Sequence, residues 1–64
     1  MKADEFGEWL LDEMEAQGIT RKRMSELTGM TQTTIRYYIN GDRSPSLISA
    51  CLIAEALGKR IEIT

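Results

Sequence analysis

The chain has 64 residues, of which 42% are hydrophobic and 28% are charged, and its formal net charge is −2. This length holds one domain with a small core, and no apolar run approaches the roughly 20 residues that span a bilayer. A single cysteine and no histidine rule out an internal disulfide and an ordinary zinc site and remove the commonest general base, so we expect no metal, no cofactor and no enzyme. The acidic, amphipathic start does not have the pattern of a signal peptide, which favours a cytoplasmic location.

Charge is distributed unevenly along the chain. Residues 1–20 carry six acidic side chains against one lysine, a net charge of −5, whereas residues 21–43 carry five basic side chains against two acidic ones, a net charge of +3. The net acidity argues against a generic nucleic-acid binder, for which a strongly basic domain is expected. This segregation, however, favours a protein that has one basic face.

The first predicted helix is amphipathic. Phe6, Leu10 and Met14 recur every four residues with Trp9 beside them and acidic residues between them. This spacing places the apolar side chains on one helix face, and Gly18 is a typical helix end. We expect these side chains to belong to the core and the acidic ones to face solvent.

A second, short helix follows. Thr20 is a candidate N-cap, and the helix is expected to run to about Thr28, with Met24 and Leu27 on its inward side. Gly29 stands where the chain must turn.

The third predicted helix begins after Thr31 and runs through Ile39. Residues 40–42, Asn-Gly-Asp, tolerate the left-handed backbone that ends a helix. At about 100° per residue, Ile35 and Tyr38 lie on one side of this helix, and we expect Tyr38 to be a core residue.

The fourth helix is predicted to start at Ser44 and Pro45, as N-cap and first helical residue, and to run to about Leu57. Beyond it, Ile61 and Ile63 alternate with polar residues, which indicates a strand at 60–64. The expected fold is therefore all-α, a four- to five-helix bundle with a helix-turn-helix at 20–40 and a short C-terminal β-strand, in a single domain of residues 1–64.

Four segments fall together at the spacing of a known family, namely residues 18–20, 24–35, 41–47 and 54–58. The sequence resembles the Cro/C1 (Xre-type) helix-turn-helix family, which includes phage repressors, over nearly its whole length. It departs at Arg21, where the family often has glutamine, and at Ser25, where alanine is common and where a serine hydroxyl needs a hydrogen-bond partner.

The resemblance implies that the third helix, residues 31–40, reads double-stranded DNA in the major groove. The side of this helix opposite Ile35 and Tyr38 carries long polar side chains. Its arginine, glutamine and threonine match the hydrogen-bonding and methyl groups of base edges. Without the resemblance, a merely solvated face would explain these residues equally well. The candidate base-reading residues are Gln32, Thr33, Arg36 and Tyr37.

A second group of residues is expected to contact phosphates. Cations at the start of a helix oppose its dipole, so folding gives no reason for the run Arg21, Lys22 and Arg23. A phosphate bound at that helix end would be attracted both by the helix amides and by these side chains, which gives the run a function. The alternative is a patch that increases solubility. Thr31, Asn40 and Arg43 complete the predicted phosphate contacts.

Ile48 and Leu52 lie four residues apart on the fourth helix, where the family usually has polar residues. Together with Ile61 and Ile63 they form an apolar strip beside an unpaired strand edge, and both features favour association. We expect a two-fold dimer in which these residues form the interface and the strands pair.

The leading hypothesis is a dimeric, sequence-specific transcriptional repressor of a phage or mobile element. The first alternative is an antitoxin that uses the same DNA-binding face and offers the apolar strip to a toxin. The second alternative is a protein-interaction module without DNA binding, which the net acidity makes possible.

Overall fold

The computed structural model describes residues 3–59, and the side chains of residues 5–59. This part of the chain is helical and contains no strand, which confirms the predicted all-α class; the strand predicted at 60–64 lies outside the described residues. None of the helices in this part is long and apolar enough to cross a membrane. The four helices are α1 (Ala3–Gln17), α2 (Arg21–Thr28), α3 (Gln32–Asn40) and α4 (Leu47–Ala56).

The ends of α2 and α3 are set by local chemistry that the sequence predicted. The Thr20 hydroxyl accepts a hydrogen bond from the Arg23 amide, and the Thr31 hydroxyl accepts one from Thr34, so each threonine satisfies an amide that the helix leaves free. At the other ends, Gly29 and Gly41 adopt left-handed φ values of 75° and 78°. These caps end both helices after about two turns and leave only a short connection between them.

The start of α4 differs from the prediction. Its N-cap is Ser46, whose hydroxyl accepts a hydrogen bond of 3.1 Å from the Ser49 amide, and its first residue is Leu47. Both Ser44 and Ser46 are suitable N-caps, and the sequence favoured Ser44 because proline is common at the first helical position. Pro45 instead precedes the cap, where its ring lies in the loop. The predicted end was correct, since the chain leaves α4 at Leu57 and Gly58.

The core lies where α1 packs against α3, and α2 against α3 and α4. Leu27, predicted to face inward, is instead 42% exposed. It lies about 60° around the helix from Met24, the one residue of α2 that is buried, and so falls at the edge of the inward side. The buried apolar side chains are Phe6, Leu10, Met14, Met24, Ile35, Tyr38, Ile53, Ala54 and Leu57.

Gly7 allows α1 to approach the C-terminal end of α3. A Cβ atom built on Gly7 would lie 2.5 Å from the carbonyl oxygens of Tyr38 and Ile39, well inside van der Waals contact. The neighbouring Phe6 packs edge-on against the Tyr38 ring, with 6.3 Å between the ring centroids. The missing side chain of Gly7 and the aromatic pair therefore set the distance between the two helices.

The end of the described chain is tied back to α1. The Gln17 side-chain amide donates a hydrogen bond of 2.8 Å to the Leu57 carbonyl, and the Lys59 ammonium lies 3.7 Å from a Glu13 carboxylate oxygen. The carbonyl at the end of α4 thus has a side-chain partner, as a half-buried helix end requires.

Replacing Gly7 by alanine should destabilise the protein. In an ordinary helix this change stabilises by about 0.5–1 kcal/mol, but here the new methyl group would meet two backbone oxygens, and overpacking of this kind costs about 1–3 kcal/mol. Urea denaturation of the G7A variant measures the change. Glu8→Ala, at an exposed position on the same helix, is the control and should change stability by less than about 0.5 kcal/mol. A stabilised G7A variant would contradict the close contact.

The two serines before α4 should differ in their effect on stability. Ser46→Ala removes the side-chain acceptor for the Ser49 amide and should cost about 1 kcal/mol, the usual effect of losing an N-cap. Ser44→Ala is the matched control and should be close to neutral, because its side chain lies outside the helix. Thermal unfolding of both variants compares them, and a larger loss for Ser44→Ala would place the cap where the sequence predicted it.

Candidate nucleic-acid interface

The turn between α2 and α3 is held by hydrogen bonds across residues 25–30. The Gly29 amide donates to the Ser25 carbonyl at 2.9 Å, and the Met30 amide donates to the Thr28 hydroxyl at 3.2 Å. The Ser25 hydroxyl donates to the Met30 carbonyl, which supplies the partner that a serine at this position needs. The turn therefore fixes the angle at which α3 leaves α2.

One side of α3 is anchored in the core and the other is open to solvent. Ile35 is fully buried and Tyr38 nearly so, whereas Gln32, Thr33 and Arg36 are exposed. The helix thus presents its long polar side chains outward, in the orientation that base contacts require. No neighbouring part of the described chain covers them.

Arg21 lies with the candidate base-reading residues. It lines an open groove on the protein surface together with Gln32, Thr33 and Arg36. The sequence grouped Arg21 with Lys22 and Arg23 because the three are consecutive. The packing of α2 against α3 also brings Arg21 close to α3, and the sequence did not predict this proximity.

The three consecutive basic residues of α2 are all exposed but differ in their partners. Arg23 forms an ion pair with Glu26, one turn further along α2, with an N–O distance of 3.2 Å. Such a pair on the surface contributes little stability, but it lowers the positive charge that Arg23 offers to a phosphate. Arg21 and Lys22 have no ion pair among those found in residues 5–59.

Thr31 and Asn40 stand at opposite ends of α3. The Thr31 hydroxyl accepts from the Thr34 amide at 3.1 Å and lies 2.9 Å from the Thr34 hydroxyl, so helix capping already engages it. Asn40 is the exposed last residue of the helix. Both residues lie at the edges of the solvent-facing side of α3, where a DNA backbone would pass a helix seated in the major groove.

Arg43 lies in the loop after α3, over the ring of Tyr37. Its guanidinium carbon is 4.9 Å from the ring centroid, and that of Arg36 is 5.8 Å from the same centroid. Tyr37 itself is half-buried, unlike the other three candidate base-reading residues. The sequence predicted each of these residues as a DNA contact but gave no sign that they touch one another.

The predicted interface residues on α4 are exposed. Ile48 is 75% exposed and Leu52 41% exposed, and Leu47, which the sequence analysis did not single out, is 56% exposed. The sequence does contain a pattern that could have indicated Leu47 as part of an apolar surface, because α4 carries no charged residue before Glu55. Ile61 and Ile63, predicted to complete this strip, lie outside the described residues.

Two capped helices, joined by a glycine turn and displaying arginine, glutamine and threonine from the second helix, define a helix-turn-helix DNA-binding protein. The model of the helix-turn-helix family HTH_3 matches residues 10–63 of the chain. The chain therefore belongs to this Cro/C1-type helix-turn-helix family and is a sequence-specific DNA-binding transcription regulator.

Among solved structures, the chain is similar to the restriction-modification controller protein C.AhdI from Aeromonas hydrophila, with a TM-score of 0.87. The two are 24% identical, and the match covers 91% of this chain and 88% of that chain. At this identity the likeness shows a shared fold. No curated protein sequence matches the chain.

Proposed function

We propose that the chain is a single domain, residues 1–64, that represses transcription by binding a near-palindromic operator as a dimer. The observation that carries this proposal is the exposed side of α3, where Gln32, Thr33 and Arg36 share one groove with Arg21. In this proposal repression follows from occupancy, because a bound dimer covers the operator. A regulator of this kind works where its DNA is, in the cytoplasm.

In this proposal the middle of α3 reads bases. Arg36 pairs with the O6 and N7 acceptors of a guanine, Gln32 pairs with an adenine, and the methyl group of Thr33 meets that of a thymine. All three side chains are exposed and none has a hydrogen bond or ion pair among those found within residues 5–59 that would have to break first. Base contact therefore costs mainly side-chain entropy and lost hydration.

The positive groups around this surface contact phosphates. Arg21 and Lys22 lie at the N-terminus of α2, where free amides and the helix dipole also attract an anion. Arg23 contributes less, because Glu26 already pairs with it. Arg43 acts from the loop beyond α3, and Thr31 and Asn40 act from the two ends of α3. These contacts set the position of α3 on the duplex without specifying its sequence.

Two copies associate through the exposed apolar residues of α4, with residues 60–64 extending the interface. Leu47, Ile48 and Leu52 present a surface without charge on a chain of which 28% of the residues are charged, and a second copy covers it with the same residues in a two-fold arrangement. The two α3 helices then stand about 34 Å apart, which matches half-sites roughly 10 bp apart on one side of the duplex.

Selection from a random duplex library tests DNA reading and symmetry together. The protein should enrich sequences with two inverted half-sites whose centres are roughly 10 bp apart. Enrichment of a single unrepeated half-site would contradict the dimer but not the base-reading role of α3. No enrichment at low ionic strength would overturn the proposed function as a whole.

Substitutions in the groove should separate base contacts from phosphate contacts. On the selected duplex, Arg36→Ala should cost about 1–3 kcal/mol and relax preference at one base position. Arg21→Ala should weaken selected and random duplexes alike and lower the slope of log affinity against log salt by about one unit. Fluorescence anisotropy over a salt series measures both effects, with Glu8→Ala on α1 as the unchanged control. Equal losses on both duplexes for the two arginine variants would contradict the assignment.

A charge on α4 should break the dimer. Ile48→Lys places an ammonium group in the proposed interface and should shift the protein to monomer and weaken operator binding, while Leu11→Lys, at an exposed leucine of α1, should leave both unchanged. Sedimentation velocity over a concentration series compares the two variants. A wild-type protein that stays monomeric well above the concentration at which it binds the operator would exclude this interface.

The antitoxin alternative uses the same residues of α4 for a different partner. It shares the DNA-binding face, so operator selection does not distinguish it from a free-standing repressor. Co-purification from the native host does, because an antitoxin is isolated with a second, unrelated chain. A dimer without such a chain, disrupted by Ile48→Lys, supports the repressor.

A further inference from the structure

Tyr37 lies close to two arginines and does not line the open groove that holds the other candidate base-reading residues. Its ring is half-buried, and the guanidinium groups of Arg43 and Arg36 lie 4.9 and 5.8 Å from its centroid. We propose, on the basis of the proposed function, that Tyr37 is a positioning residue whose ring holds the Arg43 guanidinium ready for a phosphate, instead of reading a base itself. This assigns Tyr37 a different role from the base contact that the sequence suggested.

The backbone after α3 brings Arg43 to the ring. Gly41 takes a left-handed φ of 78°, and the Asp42 amide donates a hydrogen bond of 2.9 Å to the Tyr37 carbonyl. These are the features of a turn that folds the chain back over the last turn of a helix. Arg43 follows directly and therefore lies above the residue whose carbonyl anchors the turn.

The π face of the tyrosine offsets the cost of ordering this arginine. A guanidinium is attracted by the negative face of an aromatic ring, and Arg43 is an exposed loop residue without an ion pair among those found within residues 5–59. A long side chain that binds DNA from a disordered state loses rotamer freedom on binding. Because the ring restricts Arg43 before DNA arrives, that loss is reduced. The nearby Arg36 is attracted by the same ring, which lessens its repulsion from Arg43.

The first test needs no DNA. In the free, full-length protein, the order parameter of the Arg43 Nε–Hε group measured by NMR relaxation should exceed about 0.6, the range of restricted motion, and should fall below it in Tyr37→Leu. Tyr37→Phe keeps the π face and should preserve the order. An Arg43 side chain equally mobile in the wild type and in Tyr37→Leu would overturn the inference. Circular dichroism confirms that each variant keeps its helices.

The second test measures binding to a random-sequence duplex of about 20 bp, where phosphate contacts dominate. Tyr37→Leu should weaken binding about three- to tenfold, and Tyr37→Phe should change it less than about twofold. Adding Tyr37→Leu to Arg43→Ala should cause little further loss, because the ring acts through the arginine it holds.

The outcomes separate this inference from the proposed function. If Tyr37→Phe binds DNA as weakly as Tyr37→Leu, the hydroxyl contacts DNA directly. If the losses of affinity of Tyr37→Leu and Arg43→Ala multiply in the double variant, the two residues contact DNA independently. Either result overturns the positioning role. If Arg36→Ala still relaxes base preference, the proposed function stands in both cases. Loss of DNA binding in the wild type would overturn the proposed function, while the NMR result would still decide whether Tyr37 orders Arg43.

Discussion

Burial of Ile35 and Tyr38 fixes the rotation of α3 about its own axis. With these two side chains buried in the core, the residues on the opposite side of the helix, Gln32, Thr33 and Arg36, have no orientation available except outward. A helix of nine residues has too little intrinsic stability to hold this orientation alone. The orientation of this exposed side therefore depends on a contact made on the far side of α3, and Gly7 sets how closely α1 can make that contact.

The charge distribution follows from the same arrangement. The acidic residues of α1 belong to a helix that packs behind α3, whereas the basic residues begin α2 and follow α3. A chain with a net charge of −2 can therefore bind a polyanion, because the field near the contact surface is set by the nearest charges and more distant ones are screened within about 8–10 Å at ordinary salt. Net charge alone would have excluded the function that the family membership shows.

Features governed by neighbours in sequence could be predicted from the sequence. The caps at Thr20 and Thr31 and the glycine ends of α2 and α3 depend on residues within one turn, and the predicted positions were correct. The N-cap of α4 was predicted wrongly because two serines satisfy the same local rule. The outward position of Leu27 was also missed.

Features governed by tertiary packing could not be predicted in the same way. The close approach at Gly7 depends on a helix more than 30 residues away, and a glycine in a helical pattern suggests only lower stability. Placement of Arg21 beside Gln32 depends on how α2 crosses α3. The resemblance to a family suggested that the candidate residues work together, but it did not indicate that Arg43 lies over Tyr37, because that contact depends on how the loop after α3 folds back over the helix.

The proposed dimer surface and the proposed phosphate contact of Arg43 meet in the loop between α3 and α4. Arg43 and the cap Ser46 lie in one short connection, so Arg43 and the start of the apolar surface on α4 are joined by a few residues of backbone. In the proposed dimer, the first copy to bind holds the second near its half-site, and the second binding step becomes effectively intramolecular. A small set of base contacts on each α3 then suffices, since the affinity of two linked half-sites greatly exceeds that of one. The uncharged surface from Leu47 to Leu52 would in this way contribute to operator affinity without touching DNA.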